Sequence, residues 1–190
     1  MVGGDPALDL ANTLEGPDSP DSLVDYAELT AWAERVGVID PGAAARLAER
    51  GRERPADAAR ALDAARVLRA IVDAVFRPLA TGREPPADAL ARLLARGADA
   101  AAAGRLARTD GAFVLAWDGD EPERVLWPLA VAAVDLLRHG PLDRLKVCDA
   151  CPWLFLDTSR NRSRRWCTMS ECGANAKMRR YRARRATAGR

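Results

Sequence analysis

The sequence contains a single histidine, His139, and aromatic residues make up only 5% of the chain. With one imidazole, a Ser-His-Asp or Cys-His catalytic site is hard to assemble. The glycine-rich signatures of phosphate-binding loops and dinucleotide-binding turns are also missing. We therefore expect that the protein is not an enzyme, and that His139 ends a helix before Gly140.

Long hydrophobic segments are also missing. The longest apolar stretch, Val125–Leu137, is about 13 residues long and contains Asp135, so it is too short to span a bilayer. The acidic start of the sequence has neither the basic region nor the apolar core of a signal peptide. These features predict a cytoplasmic protein without a membrane partner, in which four cysteines serve as thiols or metal ligands rather than disulfides.

The charge is divided unevenly along the chain, although the net charge is only +2. Residues 160–190 contain 11 of the 29 Lys and Arg residues and one of the 27 Asp and Glu residues, so this segment carries +10 and the rest −8. A basic end on an acidic body predicts a polyanionic partner for the basic end.

Residues 1–145 show mainly helical periodicity. We predict amphipathic helices over Leu23–Val36, Pro41–Arg50, Pro55–Leu79, the segment after Pro86 and Leu126–Arg138. Asp110-Gly111 predicts the turn of a β-hairpin formed by Arg105–Arg108 and Phe113–Trp117. Ala7–Leu14 mixes apolar and polar residues and is predicted as a short strand. The fold class is therefore mainly α (α+β), with a small antiparallel β element.

All four cysteines lie within 25 residues, in the pattern C-x2-C-x15-C-x4-C formed by Cys148, Cys151, Cys167 and Cys172. Zn²⁺ prefers four ligands in a tetrahedron, and two CxxC-like pairs joined by about 15 residues are the usual way a short chain supplies them. Because four thiolates leave no open coordination position, the pattern predicts one structural zinc ion rather than a catalytic one.

The residues between the cysteines complete a small module, predicted over 146–190. Trp153–Leu156 is expected as the outgoing strand of a β-hairpin, residues 157–165 as a polar turn, and the segment from Ser170 as a helix. In that helix, Ala174, Met178 and Tyr181 are expected to face the zinc core. A β-hairpin followed by a helix around four cysteines is a treble-clef-like arrangement, and the metal would supply most of its stability.

The basic residues of this module are the candidates for nucleic-acid binding: Arg160, Arg162, Arg164, Arg165, Lys177, Arg179, Arg180, Arg182 and Arg184. Arginine pairs in bidentate fashion with phosphate and guanine, which favours DNA as the partner. A solvated charged face is the alternative. An RNA- or ribosome-associated zinc module is a second functional alternative, although the few aromatic residues do not favour single-strand stacking.

The motifs CPWLFLD, SRNRSRRWC and AKMRRYR, together with the cysteine spacing, resemble the CGNR zinc finger, a C-terminal module of bacterial transcription regulators. The segments LDLANTLE, DSLVDYAELTAWAERVGVI, GAFVLAW and WPLAVAAVDLL resemble the ABATE domain that accompanies it. Where the family has Cys-Gly-Asn-Arg, this chain has Cys172-Gly173-Ala174-Asn175. The ligand Cys172 is kept. Either the replaced Asn and Arg side chains are dispensable for zinc binding, or this chain contacts bases or phosphates differently from the family.

The resemblance implies that the body senses a small-molecule effector, and homodimer formation is the other role that we consider for it. Asp9, Asn12 and Thr13 are polar residues in an apolar segment, and we consider Asn12 together with Arg66 and Arg69 as candidate ligand-binding residues. The alternative is that Asn12 satisfies backbone groups and that the arginines form helix-surface ion pairs with Asp63 and Asp73. The sequence as a whole predicts a zinc-containing, DNA-binding transcription regulator.

Overall fold

A computed structural model describes residues 1–14 and 19–188, apart from the side chains of residues 180, 183, 184 and 186–188. The predicted mainly helical fold with a small antiparallel β element and a zinc-binding module is confirmed. Its described elements are α1 (Pro6–Ala11), α2 (Tyr26–Arg35), α3 (Pro41–Glu53), α4 (Pro55–Ala80), α5 (Ala87–Ala102), β1 (Arg105–Thr109), β2 (Ala112–Ala116), α6 (Trp127–His139), β3 (Leu145–Val147), β4 (Leu154–Leu156) and α7 (Ala174–Ala188).

Capping residues explain where the helices begin. Pro41 and Pro55 occupy the first turns of α3 and α4, where a missing backbone N–H costs nothing. Helix α2 begins at Tyr26 rather than at the predicted Leu23, because the Asp25 side chain accepts a hydrogen bond from the Glu28 backbone N–H.

The predicted strand over Ala7–Leu14 is wrong, since the chain forms helix α1 there. Asp5 caps this helix by accepting a hydrogen bond from the Ala7 N–H at 2.8 Å, and Pro6 occupies its first position. Every residue from Ala7 to Ala11 is buried. A short helix that is covered on all sides has no exposed stripe, so the helical periodicity that identified the other helices is missing here.

The hairpin of β1 and β2 is confirmed, with Thr109 opposite Ala112. Asp110 and Gly111 connect the strands with φ angles of 49° and 85°. Positive φ at both central residues is typical of the type I′ turn, whose twist matches that of the flanking strands.

The second two-stranded sheet pairs β3 with β4 in antiparallel fashion, with Lys146 opposite Phe155. The strand at Leu154–Leu156 agrees with the prediction, but its partner precedes the first cysteine pair instead of following it. The hairpin therefore encloses Cys148 and Cys151 in its turn. The cause is local, since the Cys148 N–H donates to the Trp153 carbonyl at 2.9 Å and closes the hairpin around the pair.

The last helix is entered through a single π-helical turn, Met169–Gly173. A π turn contains an extra residue and rotates the face that follows it. Gly173 and Ala176 are consequently buried, whereas Met178 and Tyr181 are 50% and 55% exposed. The prediction that Ala174, Met178 and Tyr181 face the zinc core is thus wrong.

One hydrophobic core extends from the helical body into the zinc module. Helix α1 packs against α4 and α6, and β4 packs against α1 and α4. Leu145, Leu154 and Leu156 belong to the same buried cluster as the body residues Leu8 and Leu10. A division of the chain after residue 145 remains a prediction, since both strands of the module contribute to the core of the body. None of the described helices is long and apolar enough to cross a bilayer.

Candidate metal centre and basic surface

The four predicted zinc ligands lie together, with all of their Sγ atoms within 4.8 Å of one another. Cys151, Cys167 and Cys172 form a triangle whose three Sγ–Sγ distances are each 3.6 Å. Four sulfur atoms placed about 2.3 Å from a tetrahedral Zn²⁺ are separated by roughly 3.8 Å. The thiols therefore already have the spacing of a closed structural zinc site, which holds one ion.

Each ligand is positioned by the backbone near it. The turn between β3 and β4 supplies Cys148 and Cys151, and the Ala150 N–H points to the Cys148 Sγ at 3.4 Å. Thr168 caps the π turn and accepts a hydrogen bond from the Cys172 N–H at 3.3 Å. Cys148 and Cys167 pack with Phe155 in a small buried cluster, bordered by Trp153 and Trp166. This second cluster is small, so zinc coordination contributes much of the order of the module.

The ionisation of the thiols links metal binding to pH. Burial raises the pKa of Cys167 to about 12 and raises that of Cys151 further. Burial acts in the same direction on Cys148, but backbone N–H groups outweigh it and lower its pKa to about 7. Since zinc binds thiolates, uptake of the ion releases protons, and acid pH favours its loss.

Asp157 organises the loop that follows β4, and it was missed in the sequence. Its side chain is completely buried and accepts hydrogen bonds from Lys146 Nζ at 2.7 Å, the Ser159 N–H at 2.9 Å and the Arg164 N–H at 2.9 Å. Burial alone would raise the pKa of Asp157, but these hydrogen bonds outweigh it and hold the pKa well below its usual range. The signal available in the sequence was an Asp at the start of a polar turn, with Ser two residues later.

Three of the loop arginines take part in holding the module together. Arg164 donates to the carbonyls of Trp166 and Cys167 and lies over the Phe155 ring at 5.0 Å. Arg162 and Arg165 form ion pairs at 2.5 Å with Asp143 and Asp149, respectively. Their charges are partly neutralised within the chain, so these three side chains have a structural role besides any role in binding.

A second group of cations is exposed and forms no ion pair with the described acidic residues. Arg160, Lys177, Arg179 and Arg182 are exposed, and among the described residues none of them has a carboxylate oxygen within 4.0 Å. The side chains of Arg180 and Arg184 lie outside the described residues. Binding of nucleic acid by all nine predicted residues stays a prediction, and the structure separates them into anchoring and exposed groups.

Asn12 joins the helical body to the zinc module. Its Nδ2 donates to the Leu154 carbonyl at 2.9 Å, and its Oδ1 accepts from the Leu154 N–H at 2.8 Å, with both residues buried. The amide group pairs with the outer edge of β4 as another strand would. On the same edge, the Leu156 N–H donates to the Gly3 carbonyl at 2.8 Å. These contacts favour the interpretation that Asn12 satisfies backbone groups.

The two arginines predicted as ligand-binding residues both contact Asp21. Arg69 is buried and forms two hydrogen bonds of 2.7 Å with the Asp21 carboxylate, in addition to one of 3.1 Å with Thr13 Oγ1. Arg66 lies 3.4 Å from the same carboxylate and donates to the Leu23 carbonyl at 2.9 Å. The side-chain bond from Arg69 is the main cause that lowers the pKa of Asp21. Protein groups already occupy much of the hydrogen-bonding capacity of Asn12, Arg66 and Arg69. Ligand binding by these three residues stays a prediction.

A helical body that shares its core with a closed four-cysteine site defines the chain as a zinc-finger protein. The family model of ABATE, described as "Putative stress-induced transcription regulator", matches residues 4–140, and that of the CGNR zinc finger matches residues 144–185. The chain belongs to the ABATE family and carries a CGNR zinc finger. The comparison with curated proteins gives no match.

Proposed function

We propose that this protein is a DNA-binding transcription regulator whose zinc module presents a basic surface to the duplex. The observation that carries the proposal is the group of exposed cations formed by Arg160, Lys177, Arg179 and Arg182. They lie on a loop and a helix that meet at the four-cysteine site. Clustered positive charge that is not neutralised within the chain is the electrostatic feature of a nucleic-acid-binding surface.

The two groups of arginines have different roles in this proposal. Arg162 and Arg165 tie the loop to Asp143 before β3 and to Asp149 in the β3–β4 turn, and Arg164 lies over the Phe155 ring of β4. The exposed cations contact phosphates. Because α7 begins directly after Cys172 and Gly173, zinc fixes the start of the helix and thereby the position of its cations.

The body supplies regulation, by binding a small-molecule effector or by forming a homodimer. In this proposal the protein has no catalytic activity and acts in the cytoplasm, where free thiols are maintained as metal ligands. His139 is exposed at the end of α6, and the four clustered metal ligands are all cysteines.

Fluorescence anisotropy with labelled duplex DNA tests the proposal directly. If about five phosphates are neutralised, log K falls with log[salt] with a slope of about −4 to −5. A triple variant, Lys177→Ala, Arg179→Ala and Arg182→Ala, should weaken binding strongly and reduce the slope by about 3. A second triple variant, with Arg83, Arg92 and Arg108 replaced by Ala, is the matched control, because these exposed residues of the body carry the same total charge.

Three results would contradict the proposal. The first is a flat salt response between roughly 50 and 300 mM, and the second is an equal loss of affinity in the control variant. The third is a clear preference for structured RNA over duplex DNA in competition, which would establish the RNA-associated alternative instead. Deletion of residues 146–190 is a poor substitute for these variants, since it removes Leu154 and Leu156 from the shared core.

A further inference from the structure

The exposed side of helix α7 carries a strip of uncharged residues. Ala174, Met178 and Tyr181 are spaced four and three residues apart, which places them on one side of a helix with about 3.6 residues per turn. They lie within about 40° of the direction opposite the buried Ala176. All three are exposed, Met178 by 50% and Tyr181 by 55%. We call these three residues the outer ridge of α7.

Cations lie on both sides of the outer ridge. Lys177 and Arg182 lie about 70° from its centre on opposite sides of the helix, and Arg179 lies beyond Arg182. Among the described residues, none of these three cations has a carboxylate oxygen within 4.0 Å. The sequence of α7 itself contains no acidic residue. The helix therefore presents an uncharged centre between two positively charged flanks.

The outer ridge is held in a defined position. Cys172, one of the zinc ligands, lies in the π turn that leads directly into Ala174, so the metal site fixes the start of the helix. The guanidinium of Arg185 lies over the Tyr181 ring at 5.8 Å from its centroid, and its Nη1 donates to the Tyr181 hydroxyl at 3.4 Å. Side chains that are ordered before binding lose less conformational entropy when a partner arrives.

This pattern matches the major groove of B-DNA better than a row of phosphates. The major groove is about 12 Å wide and about 8.5 Å deep and admits an α-helix. A helix in the groove faces the base edges with its outer side and the two phosphate rows with its flanks. Uncharged side chains contribute nothing to the neutralisation of phosphates, so the outer ridge fits the base edges and the cations fit the phosphates.

Thymine is the base that offers an apolar group in the major groove, its C5 methyl group. We infer that α7 enters the major groove with its outer ridge against the base edges, where Met178 and Tyr181 favour thymine by contacting this methyl group. The inference rests on the proposed function, because it specifies how the same basic helix contacts the duplex. The charged flanks supply affinity for any sequence, and the outer ridge supplies the preference among sequences.

Replacement of thymine by uracil isolates this contact, since uracil lacks only the methyl group and keeps the same phosphates and base pairing. Two DNA duplexes of equal length, one of alternating A·T pairs and one of alternating A·U pairs, are compared by fluorescence anisotropy with the zinc-loaded full chain. Burial of one methyl group changes affinity about fourfold. We therefore expect the thymine duplex to bind at least about threefold more tightly than the uracil duplex.

A double variant, Met178→Ala with Tyr181→Ala, assigns the preference to the outer ridge. It should bring the ratio of the two affinities close to one and leave the salt slope unchanged, since neither residue is charged. Met169→Ala is the matched control, because Met169 is 53% exposed in the π turn before α7 and lies outside the outer ridge. Its ratio should equal that of the wild type. Alanine is the best helix former, and retained zinc content and helicity show that each variant is folded.

Three results would overturn the inference: a wild-type ratio below about threefold, an unchanged ratio in the double variant, or tighter binding of single-stranded oligothymidine than of the A·T duplex. The last result would identify the outer ridge as a stacking surface. Salt-dependent binding that does not distinguish the two duplexes leaves the proposed function standing. Absence of salt-dependent binding to either duplex refutes the proposed function itself, so the two failures are distinguishable.

Discussion

Replacement of Asn12 tests how the helical body holds the zinc module. The Asn12 amide forms two buried hydrogen bonds with Leu154, one with the carbonyl at 2.9 Å and one with the N–H at 2.8 Å. Asn12→Ala removes both partners and leaves two buried backbone groups of β4 without hydrogen bonds. Leu154 itself is fully buried, which keeps solvent from replacing the lost bonds.

The size of the effect follows from these two groups. A buried backbone group that loses its partner costs about 1–3 kcal/mol, so Asn12→Ala should lower the free energy of unfolding by roughly 2–5 kcal/mol. Each kcal/mol lowers Tm by about 2–4 °C in a chain of this size. We therefore expect Tm to fall by roughly 5–15 °C.

Thermal unfolding of the zinc-loaded protein, followed by circular dichroism, measures this change, and hydrogen exchange at the Leu154 amide locates it. Asn175→Ala is the matched control, because Asn175 is exposed on α7 and its replacement should change stability by less than about 0.5 kcal/mol. The reasoning is refuted if Asn12→Ala melts like the control and the Leu154 amide exchanges no faster than in the wild type.

Three further predictions concern the metal site, the hydrogen bonds of Asp157 and the hydrophobic core. Metal analysis should give about one zinc per chain. The Cys148→Ser variant should bind no zinc, and its zinc module should be disordered. The helices of the body should still form, but with a lower Tm, because Leu154 and Leu156 belong to their core. Asp157→Asn should cost about 1–3 kcal/mol at pH 7. Folding lowers the pKa of Asp157, so the carboxylate stabilises the folded state fully above about pH 5, and this stabilisation fades below about pH 4. The difference in Tm between Asp157→Asn and the wild type should therefore shrink in acid. Gly51→Ala should cost about 1–3 kcal/mol in melting experiments, because the new Cβ would lie 2.5 Å from Tyr26 Cδ1. Gly42→Ala is the milder comparison and should cost less than Gly51→Ala, because its Cβ would meet the capping oxygen Asp40 Oδ1 at 3.1 Å and an Arg46 side-chain nitrogen at 3.3 Å.

Features that depend on neighbours along the chain could be predicted from the sequence. The spacing of the cysteines was sufficient to identify the zinc site, because two pairs joined by a short loop have few other ways to use four thiols. The helices α2 to α6 show the periodicity of a helix buried on one face. The turn at Asp110-Gly111 follows from the positive φ angles that these residues tolerate.

Features that depend on distant partners could not be predicted. Helix α1 is covered on every side by α4, α6 and β4, so its sequence contains no helical stripe. The π turn before α7 rotates the predicted face, and no spacing rule for an ordinary helix accounts for an inserted residue.

The sequence by itself determined that four thiolates bind zinc beside an excess of arginine, because ligand spacing and charge are local properties. Only the tertiary structure decided which arginines anchor the loop and which are exposed, since Asp143 and Asp149 become partners through folding. It also brought Asn12 to Leu154, across 142 residues of chain. Such contacts arise from packing in a shared core, and the pattern of residues along one segment does not encode them.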